Sequence, residues 1–126
     1  MKRGTLLVIM SLLSIVLLTF HFTGDIVVGY EKGGLSTLVA VPISVLLLCG
    51  PLLLANRRSG YVIMFLGALF ALAMPVLHLR GKGVGAGSRV AGSGGEFFFI
   101  WTLIALGVCG LFSLILLAAE LAKPRP

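Results

Sequence analysis

The strongest constraint on this chain is a run without charge. Between the arginine pair Arg57-Arg58 and Arg80, residues 61–79 read YVIMFLGALFALAMPVLHL and contain no Asp, Glu, Lys or Arg. As a helix rising about 1.5 Å per residue, such a run measures roughly 28 Å, close to the hydrocarbon thickness of a bilayer. No water-soluble domain needs a segment like this, so it predicts a membrane span. It also carries one of the two histidines, His78.

Three other segments have the same character. Residues 4–22, GTLLVIMSLLSIVLLTFHF, follow a basic start and are too long for a signal-peptide core. No A-x-A cleavage site follows them, so they predict a retained first span with room to extend to residue 30. Residues 35–55 predict a second span, interrupted by Pro42 and Pro51. Residues 97–119 predict a fourth, opening on the aromatic belt Phe97-Phe98-Phe99-Ile100-Trp101. The expectation is a single all-α membrane domain, a four-transmembrane-helix bundle in up-down-up-down order.

Charge placement agrees with a membrane protein. Only 11% of the 126 residues are charged and 59% are hydrophobic, where a soluble domain has about a quarter charged. The net charge of +6 comes from basic residues beside the spans, not from a nucleic-acid-type basic run. The implied partners are lipids and other membrane-protein subunits or further copies of this chain, with no nucleic acid. On a four-span layout, Lys2, Arg3, Arg57, Arg58, Lys123 and Arg125 lie on one side, and Lys32, Arg80, Lys82 and Arg89 on the other. Six against four favours cytoplasmic termini and leaves dual topology open.

The connections are short or glycine-rich. Residues 56–60, NRRSG, predict a tight hairpin. Residues 81–95, GKGVGAGSRVAGSGG, predict a flexible linker; the phosphate-loop spacing GxxxxGK[ST] is absent. Ser93 and Glu96 have capping-box spacing for the last helix. Cys49 and Cys109 lack the CxxC spacing of redox or zinc motifs and predict small packing residues.

Helical spacing then assigns faces. Gly4, Ser11, Ser14, His21 and Asp25 share one face of the first span. Gly60, Met64, Gly67, Ala71, Met74 and His78 share a stripe on the third. Thr37, Ala40, Ser44 and Pro51 group on the second, and Phe98, Thr102, Ala105, Cys109, Ser113 and Glu120 on the fourth. In lipid, small and weakly polar residues mark helix–helix contact, so these stripes are expected to face one another.

The stripes bring two imidazoles to the same depth. His21 lies 17 residues beyond Gly4, and His78 lies 17 beyond Tyr61. Asp25, one turn after His21, is placed to orient it, and Glu31, Arg80 and Glu96 complete an outer polar cluster. The plain account is a polar network that closes the bundle's end. The sharper account is a ligand site in which His21 and His78 hold Zn²⁺, haem or another tetrapyrrole, with carboxylates behind them. The imidazole separation distinguishes these: nitrogens about 4 Å apart suit an axial pair on haem iron, and about 3–3.5 Å suits tetrahedral zinc.

Several activities lack their residues. Proton-coupled four-helix drug exporters need a glutamate inside the first span, and no acid precedes Asp25. The signature of small fluoride channels is missing, as is the CxxC of thiol oxidoreductases. Ser14, the nearer serine to His21 on its face, lies about 10 Å from it along the axis, too far for a nucleophile–base pair.

The segments HFTGDIVVGYE, RRSGYVIM and FFFIWTLIALG resemble small four-span membrane proteins of bacteria. The resemblance implies a four-span architecture and brings no activity and no functional residue; the expected location is a bacterial inner membrane. The functional expectation is a non-enzymatic accessory or structural subunit of a membrane assembly. The alternatives are a haem-, tetrapyrrole- or metal-binding protein using His21 and His78, or a small channel or transporter.

Overall fold

The computed structural model describes residues 3–27, 29, 32–80 and 95–122. Four α-helices account for most of them: α1 (Arg3–Val27), α2 (Ala40–Leu53), α3 (Arg58–Arg80) and α4 (Glu96–Leu121). A short 3₁₀ helix, Leu35–Val39, leads into α2. No strand occurs among the described residues.

Three of these helices are long and apolar enough to cross a membrane: Gly4–Val27, Arg58–His78 and Phe97–Leu121. The chain is therefore an integral membrane protein, but the expected four-span bundle needs correction. The segment expected as the second span forms only a shorter apolar helix, Thr37–Leu53. Its regular part has 14 residues, about 21 Å of rise, where a span needs roughly 20 residues. Proline explains the shortfall. Pro42 has no N–H to donate and is tolerated in a first turn, so regular α-helix starts just before it and the preceding residues tighten into 3₁₀ form. At the other end, Leu54 leaves the helical region with φ −119° and ψ 14°. The tally of basic residues counted four crossings, so with three qualifying helices it no longer assigns the ends of the bundle to the two sides of the membrane.

Packing fixes the helix directions. Leu7 near the start of α1, Met64 near the start of α3 and Leu117 near the end of α4 form one buried cluster. His21 near the end of α1 meets His78 near the end of α3 and Thr102 near the start of α4. So α1 and α3 run in parallel and α4 runs against both. α4 packs along both of its neighbours, and α2 packs mainly on α3.

Inside, the stripes largely meet. Ser11, Ser14, His21, Asp25, Met64, Ala68, Ala71, His78, Thr102, Cys109 and Ser113 are buried, while long aliphatics such as Val16, Leu66, Ile104 and Ile115 face out. One residue of the α4 face differs from expectation. Phe98 is 47% exposed and Phe99 is 3% exposed, so the ring that enters the bundle is the next one along. The N-cap of α4 is Gly95 with no side-chain cap hydrogen bond, which replaces the expected capping box; Ser93 lies outside the described residues. α1 is described as ending at Val27, and loop residues 81–94 lie outside the description.

Two glycines set how closely the helices approach. A Cβ at Gly60 would collide with the Leu54 carbonyl, so the α2–α3 turn closes only around a bare backbone. A Cβ at Gly110 would stand 2.8 Å from both the Ala68 carbonyl oxygen and the Leu72 amide nitrogen, so α4 lies directly against the α3 backbone there. Gly110→Val is expected to separate α3 from α4 and lower stability by about 1–3 kcal/mol. Reversible unfolding in mixed detergent micelles measures this, and an unchanged midpoint would contradict the close approach.

Candidate metal centre

The end of the bundle where α1 and α3 finish collects three potential ligands. Two come from one helix: His21 and Asp25 are one turn apart, so their side chains point the same way. The third, His78, arrives from α3. All three residues are buried, at 2%, 8% and 5% exposure respectively.

Their separations are close to those of a coordination sphere. The His21 Nε2 and His78 Nε2 atoms are 3.2 Å apart, and each lies 3.7 Å from Asp25 Oδ2. A triangle with these sides has a circumscribed radius of about 2.1 Å, and zinc bonds to imidazole nitrogen and carboxylate oxygen run roughly 2.0–2.2 Å. A single ion near the plane of the three atoms would thus reach all of them at bonding distance without a rearrangement of the helices.

The other ring nitrogens decide which atoms are free to bind. His78 Nδ1–H donates to the Met74 carbonyl oxygen at 2.9 Å, an acceptor only, which leaves the lone pair on Nε2. The Thr102 hydroxyl lies 2.9 Å from the Phe98 carbonyl oxygen and 3.0 Å from that of Phe99, so it directs its proton there. His21 Nδ1 stands 3.4 Å from the same hydroxyl oxygen, a long contact in which that oxygen can accept from His21 Nδ1–H when that tautomer is present. The Met74 bond thus directs the Nε2 lone pair of His78 toward His21 Nε2 and Asp25, whereas the tautomer of His21 sets whether its own Nε2 donates to His78 or presents a second lone pair.

A proton shared between the two rings satisfies one pair of these atoms, and a cation would attract all three. Water cannot easily screen them here, because the cluster lies between membrane helices and under the buried Phe99 ring. That ring has its centroid 4.9 Å from the His21 ring and 5.5 Å from the His78 ring. The two imidazoles meet edge to face, with centroids 4.6 Å apart and planes 76° to one another.

The sequence-predicted site residues divide clearly. His21, His78 and Asp25 come together, with Asp25 beside both rings as a potential direct ligand instead of an outer support. Glu31 lies outside the described residues, as do the side chains of Arg80 and Glu96, whose backbones belong to α3 and α4. The supports that sequence reasoning did not connect to the histidines are Thr102, Phe99 and the Met74 carbonyl. Thr102 did carry a signal, since it falls on the inward face of the last helix.

Comparison with family models, with curated proteins and with solved structures finds no match. The resemblance to four-span bacterial membrane proteins is corrected by this result together with the three qualifying helices.

The tautomer assignment is directly measurable. In ¹⁵N spectra of metal-free protein, His78 is expected to show a protonated Nδ1 and an unprotonated-type Nε2. The opposite pattern would remove the lone pair on which the site depends.

Proposed function

We propose that this chain is a membrane-embedded metal-binding protein that holds one divalent transition-metal ion, zinc foremost, through His21 Nε2, His78 Nε2 and Asp25. The observation that carries the reading is the convergence of three ligand atoms at 3.2, 3.7 and 3.7 Å around a point between α1 and α3. Two imidazoles and a carboxylate are a ligand set that suits zinc, and with open positions they also suit non-haem ferrous iron. The Nδ1 hydrogen bonds to Met74 and Thr102 support it further, since metal-bound histidines characteristically donate their other N–H to an oxygen.

The separation also weighs between cofactors. Axial nitrogens on a haem iron stand about 4 Å apart on opposite faces of a macrocycle. At 3.2 Å the imidazole edges leave no room for a porphyrin plane, so a bare ion fits better than haem or another tetrapyrrole. We read the protein as a binding protein and not an enzyme. The accessory-subunit and channel readings have no comparable geometric feature in their support.

Purified protein is expected to bind zinc at one ion per chain. Replacement by Co²⁺ should give visible d–d bands of low-coordinate character, with no Soret-type absorption. His21→Ala and His78→Ala should each abolish stoichiometric binding. Thr102→Val should weaken it by about 10–100-fold through loss of the support on His21. Metal analysis and equilibrium competition with a chelator provide the measurements. Full zinc retention in His78→Ala would end the proposal.

A further inference from the structure

A second polar feature lies in the interior, away from the ligand cluster. Ser11 on α1 precedes His21 by ten residues, about 15 Å along the helix. Near it a cavity opens between helices, lined by Ser11, Ser14, Met64, Gly67, Leu47 and Ser113 among others.

The hydroxyls around this cavity behave differently. Serine in a membrane helix commonly donates back to the carbonyl four residues earlier. Ser14 does so, to Met10 at 2.9 Å. Ser11 and Ser113 do not, and neither Oγ has a hydrogen-bond partner among the described residues. Both side chains are deeply buried, with exposures of 6% and 1%. A hydroxyl left without a partner in an apolar interior costs roughly 1–3 kcal/mol, and back-bonding offers an easy escape. Two serines from different helices forgo that escape and border the same space.

We infer that this cavity is a binding site for a water molecule, which bridges Ser11 of α1 and Ser113 of α4 and also reaches the Ser14 oxygen. The size agrees: about 20 Å³ is available, above the roughly 10–15 Å³ that one water centre requires. The chemistry agrees as well. A water needs two to four polar partners, and three hydroxyls surround the space while the remaining walls are apolar and hold the guest in place. Ser11 and Ser113 donate to or accept from the water, and the Ser14 oxygen, whose own proton goes to Met10, accepts. The water thereby ties α1 to α4 near the middle of the spans, independently of the metal centre.

Radiolytic footprinting tests this, because hydroxyl radicals formed from a bound water oxidise the side chains beside it. Met64 lines the cavity at 3% exposure and is the reporter. In detergent-solubilised full-length protein, Met64 is expected to oxidise about as fast as the partly exposed Met74. In the Ser11→Ala/Ser113→Ala variant its rate should fall at least threefold, with Met74 unchanged. An unreactive Met64 in the native protein, or a rate unaffected by the double substitution, overturns the proposal. If the variant does not fold, the native protein still decides. Magnetisation transfer from water to the Met64 methyl supports the site, and its absence refutes it. None of these readouts depends on metal loading.

Discussion

The arrangement of this protein turns on two imidazole nitrogens and a carboxylate held within 3.7 Å of one another inside a low-dielectric layer. In water such a group of acceptors would be hydrated and would drift apart. Between membrane helices hydration is restricted, and a carboxylate there depends on partners among the protein's own groups. Positive charge at its centre would attract all three atoms. A proton can serve, shared among the three atoms, but it satisfies at most a pair of them at hydrogen-bond distance. A divalent ion at a radius of about 2.1 Å, as proposed above, would engage all three.

That geometry depends on backbone features distributed through the bundle. Gly60 allows the turn from α2 to α3 to close, which brings α3 back parallel to α1. Gly110 lets α4 rest on the backbone of α3. Nearer the site, a Cβ at Gly107 would stand 2.8 Å from the Pro75 ring, so the proline of α3 packs where α4 has no side chain. Pro75 removes one backbone donor three residues before His78, yet the helix continues to Arg80. Close approach along α4 thus holds Thr102 and Phe99 against the histidines, and small residues contribute to ligand geometry without touching a ligand.

Much of this could be read from the residues alone, for identifiable reasons. Absence of charge over a span's length revealed α1, α3 and α4, and the 100° step placed His21, Asp25 and His78 inward. Equal depth of the two histidines followed from counting. The second segment misled because apolar length was visible in residues 35–55, whereas the 3₁₀ stretch before Pro42 and the departure at Leu54 are conformational. Phe99 was missed for Phe98 because a run of three phenylalanines spreads over most of a turn, and only packing selects which ring enters. Asp25 was legible as a neighbour of His21; its equal distance from His78 required the helices to be assembled.

The apolar exterior had suggested a role as a subunit of something larger, and its physical meaning differs in this setting. Residues such as Val16, Phe20, Val62, Leu66, Trp101 and Ile104 are exposed in the isolated chain. On a soluble protein so large an apolar surface would indicate a missing partner. On helices that cross a bilayer the acyl chains cover it, and association gains little from burying one leucine against another. Exposure of aliphatics therefore carries no information about partners here. Buried polarity does, because each inward-facing hydroxyl, imidazole or carboxylate must find something to interact with where water is scarce. The interior polar atoms are therefore where the proposed metal chemistry of this chain is written.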